Sequence, residues 1–216
     1  MAKAMCIMGE SGSGKTTSLR NLDPATTYIV DCDKKGLSWK GWRDQYNPDK
    51  KNYFCTDYPQ TALKLLENIN EKEQCKHIRV VVFDTINGLM VADEMRRMYE
   101  KGYDKWQDLA ASIYGLVDYA LTVRPDLTPV FIAHTQTDRD DNGFKFTRIK
   151  TSGRKLDKIT LESKFSTVLY AVFENGQYVF KTKTDGTNTA KSPFGAFDSD
   201  TVPNDLAEVI KTLEEY

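Results

Sequence analysis

The chain has 216 residues and a formal net charge of -1, from 30 Lys and Arg set against 31 Asp and Glu. This length suits one α/β domain, residues 1–216 together, and the near-neutral balance excludes a protein that coats polyanions by bulk charge; any nucleic-acid contact must come from local clustering. The four cysteines, Cys6, Cys32, Cys55 and Cys75, form no C-x-x-C pair, so neither a zinc site nor a disulfide framework is indicated and a reducing compartment fits.

Met1-Ala2-Lys3 leads straight into the apolar run Ala4-Met5-Cys6-Ile7-Met8, which reads as a buried strand. That leaves no room for a signal peptide, and no apolar run is long enough to span a bilayer, so a cytoplasmic protein without membrane contact is expected. Gly9-Glu10-Ser11-Gly12-Ser13-Gly14-Lys15-Thr16-Thr17 follows at once and matches G-x-x-x-x-G-K-[ST], the phosphate-binding P-loop. Its glycines let successive backbone N–H groups converge on one anion, and a helix starting near Lys15 is expected to add its positive end. Lys15 is then the group that reaches the β- and γ-phosphates, and Thr16 offers its hydroxyl to Mg²⁺. A Gly/Ser-rich surface turn is the plainer reading of the same letters.

A short helix over 17–21 stops at Asp23-Pro24, and Thr27-Tyr28-Ile29-Val30 forms a strand that runs into Asp31-Cys32-Asp33-Lys34-Lys35-Gly36. Loops at the carboxyl ends of parallel strands form the ligand crevice, which would bring Asp31 and Asp33 towards the phosphates; turn chemistry accounts for them equally well. Residues 37–54 are aromatic without clear periodicity. Residues 59–73 place Ala62, Leu65, Leu66 and Ile69 at helical spacing, a face meant for the core. Arg79-Val80-Val81-Val82-Phe83-Asp84 is a buried strand that ends in a carboxylate, the Walker B pattern, in which Asp84 holds Mg²⁺ beside Thr16 directly or through water; an Asp at a strand end is also an ordinary turn residue. Helices over 89–100 and 103–124 are split by Gly102. The next strand, Val130-Phe131-Ile132-Ala133-His134, has a polar tip: His134 either senses the γ-phosphate or is a satisfied histidine at the core edge.

From 138 to 158 the composition turns basic, with Arg139, Lys145, Arg148, Lys150, Arg154, Lys155 and Lys158 interleaved with Phe144 and Phe146 around an Asn142-Gly143 hairpin turn. Cations with aromatics suit single-stranded DNA. Asp138, Asp140, Asp141 and Asp157 dilute the charge, so a merely solvated hairpin stays open. A second hairpin pairs 167–174 with 177–184 about Asn175-Gly176, and a closing helix packs Leu206, Val209, Ile210 and Leu213. Thr182-Lys183-Thr184-Asp185 fits a loose guanine-recognition pattern, [NT]-K-x-D. Its usual companion D-x-x-G is missing, because Asp84-Thr85-Ile86-Asn87-Gly88 has one residue too many. ATP is therefore the expected nucleotide.

The order of these parts resembles the RecA-like P-loop ATPases, and residues 9–22, 84–90, 101–105 and 184–195 look like the small phage-encoded members of that class, ATP-binding or single-strand annealing proteins. The resemblance covers nearly the whole chain, although only the P-loop is specific alone. It implies a RecA-like α/β fold, a mostly parallel central sheet flanked by helices with C-terminal antiparallel hairpins. It places Asp33 where a carboxylate, usually Glu, activates the attacking water, and His134-Thr135 where an amide-bearing residue is usual. The basic hairpin falls where the DNA-binding loop emerges, and Lys181, Lys183 and Lys191 are similar in position to lysines that reach a neighbouring subunit's γ-phosphate.

The expectation is thus a Mg²⁺-dependent ATPase that forms a homo-oligomer and acts on single-stranded DNA, with Lys15, Asp33, Asp84, His134 and Lys183 at the chemistry. Two rivals remain. A P-loop kinase of a small molecule would use 139–154 as an arginine lid, and a nucleotide-gated assembly factor would bind ATP and hardly hydrolyse it.

Overall fold

The computed structural model describes residues 4–102, 104–139, 141–152 and 160–216. Tyr103, Asp140, Arg154, Lys155, Asp157 and Lys158 lie outside the described residues. The strands are β1 (Met5–Gly9), β2 (Thr27–Asp31), β3 (Tyr53–Cys55), β4 (Val80–Asp84), β5 (Thr128–Arg139), β6 (Lys145–Ile149), β7 (Thr167–Glu174), β8 (Gln177–Lys181) and β9 (Thr201–Pro203). They join in one sheet of order β3-β2-β4-β5-β1-β7-β8-β9, with β6 paired to β5. From β3 to β7 every neighbouring pair is parallel; β8, β9 and β6 are antiparallel additions.

Parallel strands need crossovers that cover both faces, so their sequences are apolar throughout rather than alternating. Val80-Val81-Val82-Phe83 shows the consequence. Val81 and Phe83 join a core with Cys6, Met8, Phe131 and Ala133 beneath helices α1 (Pro59–Glu71), α2 (Ile86–Arg96) and α3 (Asp104–Ala120). Val80 and Val82 join Met5, Ile7, Val130 and Ile132 in a second core on the opposite face, closed by Leu19, Leu37, Tyr46 and the final helix, Leu206–Glu215. Phe83 stacks on Phe131 with ring centroids 5.1 Å apart, and Phe131 meets Phe165 at 5.5 Å; each such pair adds about 1 kcal/mol beyond burial.

Three of the differences from the sequence reading bear on the site. The helix expected at 89 begins at Ile86 because Thr85 caps it, its Oγ1 accepting from the Gly88 N–H at 3.2 Å. Strand β5 runs twelve residues, not five, since Thr135–Arg139 leaves the sheet and pairs with β6. The helix after the P-loop is a six-residue 3-10 segment, Thr16–Asn21, too short for a substantial macrodipole, so the loop's own amides must supply most of the pull on an anion.

Registry fixes what the strands present. Asp31 lies opposite Asp84, Asp84 opposite Ile132, and Gly9 opposite His134. One edge of the sheet therefore collects the strand-end residues singled out in the sequence.

Candidate functional site

The P-loop leaves β1 at Gly9, where no side chain fits: a Cβ would stand 2.5 Å from Ser13 Oγ and 2.6 Å from the Ala171 carbonyl oxygen. The loop returns on itself through the Ser13 N–H to Glu10 carbonyl bond at 3.2 Å. Lys15 is buried, and its Nζ donates to the carbonyls of Gly9 at 2.8 Å and Glu10 at 2.6 Å. Burial lowers its pKa to about 8, although Asp84 opposes the shift. An ammonium held on two neutral carbonyls lacks the anion that would stabilise its charge, which is what a phosphate supplies.

Thr16 Oγ1 donates to Asp84 Oδ2 at 2.7 Å across 68 positions of sequence. The other carboxylate oxygen, Asp84 Oδ1, is buried and has no hydrogen bond; its nearest cation is Lys35 Nζ at 3.8 Å. Burial accordingly raises the Asp84 pKa, with Lys35 and Thr16 pulling the other way. A buried carboxylate oxygen without a partner is costly unless something completes it. A hydroxyl and a carboxylate set together fit Mg²⁺, which takes few protein ligands and the rest from phosphate and water. The peptide bond between Asp84 and Thr85 is cis.

The loop after β2 is built by Asp31, whose oxygens accept from the Asp33 and Gly36 N–H groups and from Tyr53 Oη, at 3.1, 2.7 and 2.7 Å. Asp31 is thus fully used in shaping the loop, while Asp33 lines a space that adjoins the P-loop cleft at His134. Asp33 accepts from Thr85 Oγ1 at 3.1 Å and from Lys35 Nζ at 2.6 Å. His134 lines a 230 Å³ cleft together with Gly12, Gly14, Lys15, Thr16 and Lys35. Burial and the nearby Lys15 lower its pKa, so the ring is neutral at pH 7. Its backbone N–H donates to Asn87 Oδ1 at 2.7 Å, and Asn87 Nδ2 donates to the Lys150 carbonyl at 2.6 Å. Asn87 therefore ties the middle of β5 to the segment just beyond β6. Thr135 Oγ1 completes the join by donating to Glu10 Oε1 in the P-loop at 2.8 Å.

The model of a family described as AAA domain matches residues 1–194. The chain belongs to that AAA-domain family. No curated protein matches the sequence. The AAA domain is a P-loop, nucleotide-binding ATPase-like domain, and the α/β architecture with its mostly parallel sheet agrees with it. No helix among the described residues is long and apolar enough to cross a membrane.

The other residues marked in the sequence lie away from this edge of the AAA domain. Arg139 and Lys145 face each other across the outer hairpin, where Phe144 is exposed, Phe146 is partly buried, and Arg148 pairs with Asp138 at 2.8 Å. Lys150 is exposed just past β6. Lys181 pairs with Glu174 at 2.9 Å and Lys183 with Asp200 at 2.8 Å; Lys191 bridges to β7 through its backbone, and burial lowers its pKa. The guanine-like motif is spent locally. Asp185 accepts from the Thr187 N–H at 2.9 Å and from Asn188 Nδ2 at 2.8 Å, and Thr182 Oγ1 donates to the Ser199 carbonyl at 2.9 Å.

Sequence reasoning missed Lys35 and Asn87. Lys35 could have been suspected as one of two cations in an acidic loop already assigned to the crevice; the other, Lys34, pairs with Asp57 at 2.8 Å. Asn87 sits inside a helix by periodicity, and nothing local marks its side chain as a clamp.

Proposed function

We propose that this chain binds MgATP at the shared edge of β1, β4 and β5 and hydrolyses it, and that it does so on single-stranded DNA as part of a homo-oligomer, in the strand handling of phage recombination or replication. The observation that carries the ATPase reading is the Thr16–Asp84 hydrogen bond with Asp84 Oδ1 left bare beside it. Lys15 exchanges its two loop carbonyls for phosphate oxygens, and Thr16 and Asp84 hold the metal. Mg²⁺, when bound, neutralises charge that develops on the β- and γ-oxygens. Asp33 orients and polarises a water, and a ring N–H of His134 donates to the γ-phosphate end. DNA enters through continuity of chain: β5 carries His134 at the cleft and Arg139 at the hairpin tip, and Asn87 braces the base of that hairpin by bonding His134 on one strand and Lys150 just past the other.

The test is phosphate release from ATP with Mg²⁺ and water as the sole acceptor, with and without a single-stranded oligonucleotide. Asp33→Asn is expected to slow turnover about a hundredfold, the range of a lost general base, while nucleotide affinity holds. Turnover that requires a small-molecule acceptor would replace this reading with a kinase. The Lys35–Asp33 pair at 2.6 Å favours one second reading, a nucleotide-gated assembly factor whose base is restrained. In that case Lys35→Ala speeds single-turnover hydrolysis instead of slowing it.

A further inference from the structure

The loop after β2 is left-handed on either side of Lys35, with φ 58 at Lys34 and φ 77 at Gly36. That conformation is costly at a residue other than glycine, so Lys34 needs an anchor. Its Nζ meets Asp57 Oδ2 at 2.8 Å. Gly36 is tied down by its N–H bond to Asp31 Oδ2 at 2.7 Å, and a Cβ there would stand 2.8 Å from Trp42 Cζ2. Held between these two fixed points, Lys35 joins the lining of the P-loop cleft. Its Nζ lies 2.6 Å from Asp33 Oδ2 and 3.8 Å from Asp84 Oδ1, the buried oxygen that has no hydrogen bond. At 3.8 Å the ammonium is too far to bond Asp84 but near enough to offset its charge. The two lysines of the cleft are thus held differently: Lys15 rests on carbonyl oxygens and Lys35 on carboxylates.

We propose that Lys35 is the resident cation of the metal site: in the nucleotide-free protein its ammonium balances Asp84 and Asp33 and keeps a lone divalent ion out, so that metal is held only together with a triphosphate. This rests on the MgATP reading above and adds an order of loading to it. The reason is electrostatic. A lone Mg²⁺ would have to share Asp84 with an ammonium that already stands 3.8 Å from its free oxygen, and like charges that close repel strongly where water is scarce. A triphosphate changes the balance because its own oxygens are negative and serve as metal ligands, enough for both cations to stay. Lys35 is therefore a positioning residue, which acts through Asp33 and Asp84.

The experiment is titration of the full chain with Mn²⁺, which favours the same oxygen ligands as Mg²⁺, with and without inorganic triphosphate. Water-proton relaxation reports the Mn²⁺ that is bound to the slowly tumbling protein. Wild type is expected to hold Mn²⁺ tightly only when triphosphate is present. Lys35→Met removes the charge and keeps most of the side chain, so it should bind lone Mn²⁺ about tenfold more tightly than wild type; the gain is modest because the lysine side chain is 45% exposed and partly screened by water. Lys34→Met loses the same charge one residue away, from the Asp57 pair, and should bind lone Mn²⁺ as wild type does. Lys35→Arg keeps the charge and should exclude the lone ion. Thermal melts give a second reading: nucleotide-free Lys35→Met should melt below wild type and be restored by Mn²⁺, whereas a lysine that serves only the loop would leave a loss that metal does not restore. Equal binding of lone Mn²⁺ by wild type and Lys35→Met, or an equal gain in Lys34→Met, overturns this role of Lys35 and leaves the phosphate and metal site standing. Should Lys35→Met fail to fold, wild type still decides, because Mn²⁺ held as tightly without triphosphate as with it overturns the role. No Mn²⁺ on wild type even with triphosphate overturns the nucleotide reading as well.

Discussion

The charges at the strand ends and those on the antiparallel additions are paired very differently. On the additions, Lys181, Lys183 and Arg148 each meet a carboxylate within 3 Å at the surface. At the strand ends, Lys15 rests on carbonyls and Asp84 keeps one oxygen bare, both in the interior. Exposed pairs contribute about 0–1 kcal/mol and are an ordinary surface condition. Buried charges left short of partners are destabilising, so they persist where a ligand completes them. The difference separates a place where a charge is wanted by the fold from one where it is wanted by something the fold binds.

Asp84→Asn breaks the comparison most severely. The amide keeps an acceptor for Thr16 but removes the buried charge, so Mg²⁺-supported nucleotide affinity should fall about a hundredfold, as expected for a lost metal ligand. The nucleotide-free protein should meanwhile melt at the same temperature or higher, because an incompletely paired buried carboxylate has gone. Loss of stability together with loss of binding would instead make Asp84 a structural residue and dissolve the contrast. Titrations with and without chelator, beside thermal melts, read both arms.

The pH dependence sharpens the contrast at intermediate size. Lys15 has a folded pKa of about 8 against an ordinary value of 10.5. Between those values the unfolded chain binds more protons than the folded one, so the stability of the nucleotide-free protein should rise with pH across that window. Affinity for a triphosphate should move the opposite way, because the bound anion favours the protonated lysine. It should be flat with respect to Lys15 below pH 8 and fall by up to about tenfold per unit above it. Calorimetry in buffers of different ionisation enthalpy detects the proton taken up near pH 9. Its absence would mean that Lys15 already carries its charge on the loop carbonyls and gains nothing from phosphate.

How much of this was readable beforehand follows from how local each signal is. The P-loop and the Val80–Asp84 strand announce themselves because glycines, a lysine and an apolar run ending in a carboxylate are contiguous in sequence. That Thr16 touches Asp84 follows from the order of parallel strands, and the family pattern anticipates it. Asp31 and Asp33 could not be told apart from the letters: both follow the same apolar run, and only the contacts show that one shapes the loop through Gly36 and Tyr53 while the other meets Thr85 and Lys35. Strands β3 and β9 are three residues each and too short for any period to show.

The smallest expected effect concerns the outer hairpin, where the contrast can be extended from stability to partner. Lys145 and Lys150 are exposed on an element that leaves the sheet. Replacing both with Ala should therefore leave the melting temperature and DNA-free turnover unchanged, since surface substitutions of this kind stay within about 0.5 kcal/mol. If the hairpin tracks single-stranded DNA, each lysine that contacts a phosphate releases counterion, and the double variant should lower the slope of log affinity against log salt by about 0.7 per contact. Oligonucleotide binding measured across several salt concentrations decides it. An unchanged slope would mean that these cations are as indifferent to a partner as Lys183 beside Asp200 is to the fold, and would remove DNA from this face while leaving the nucleotide site as it stands.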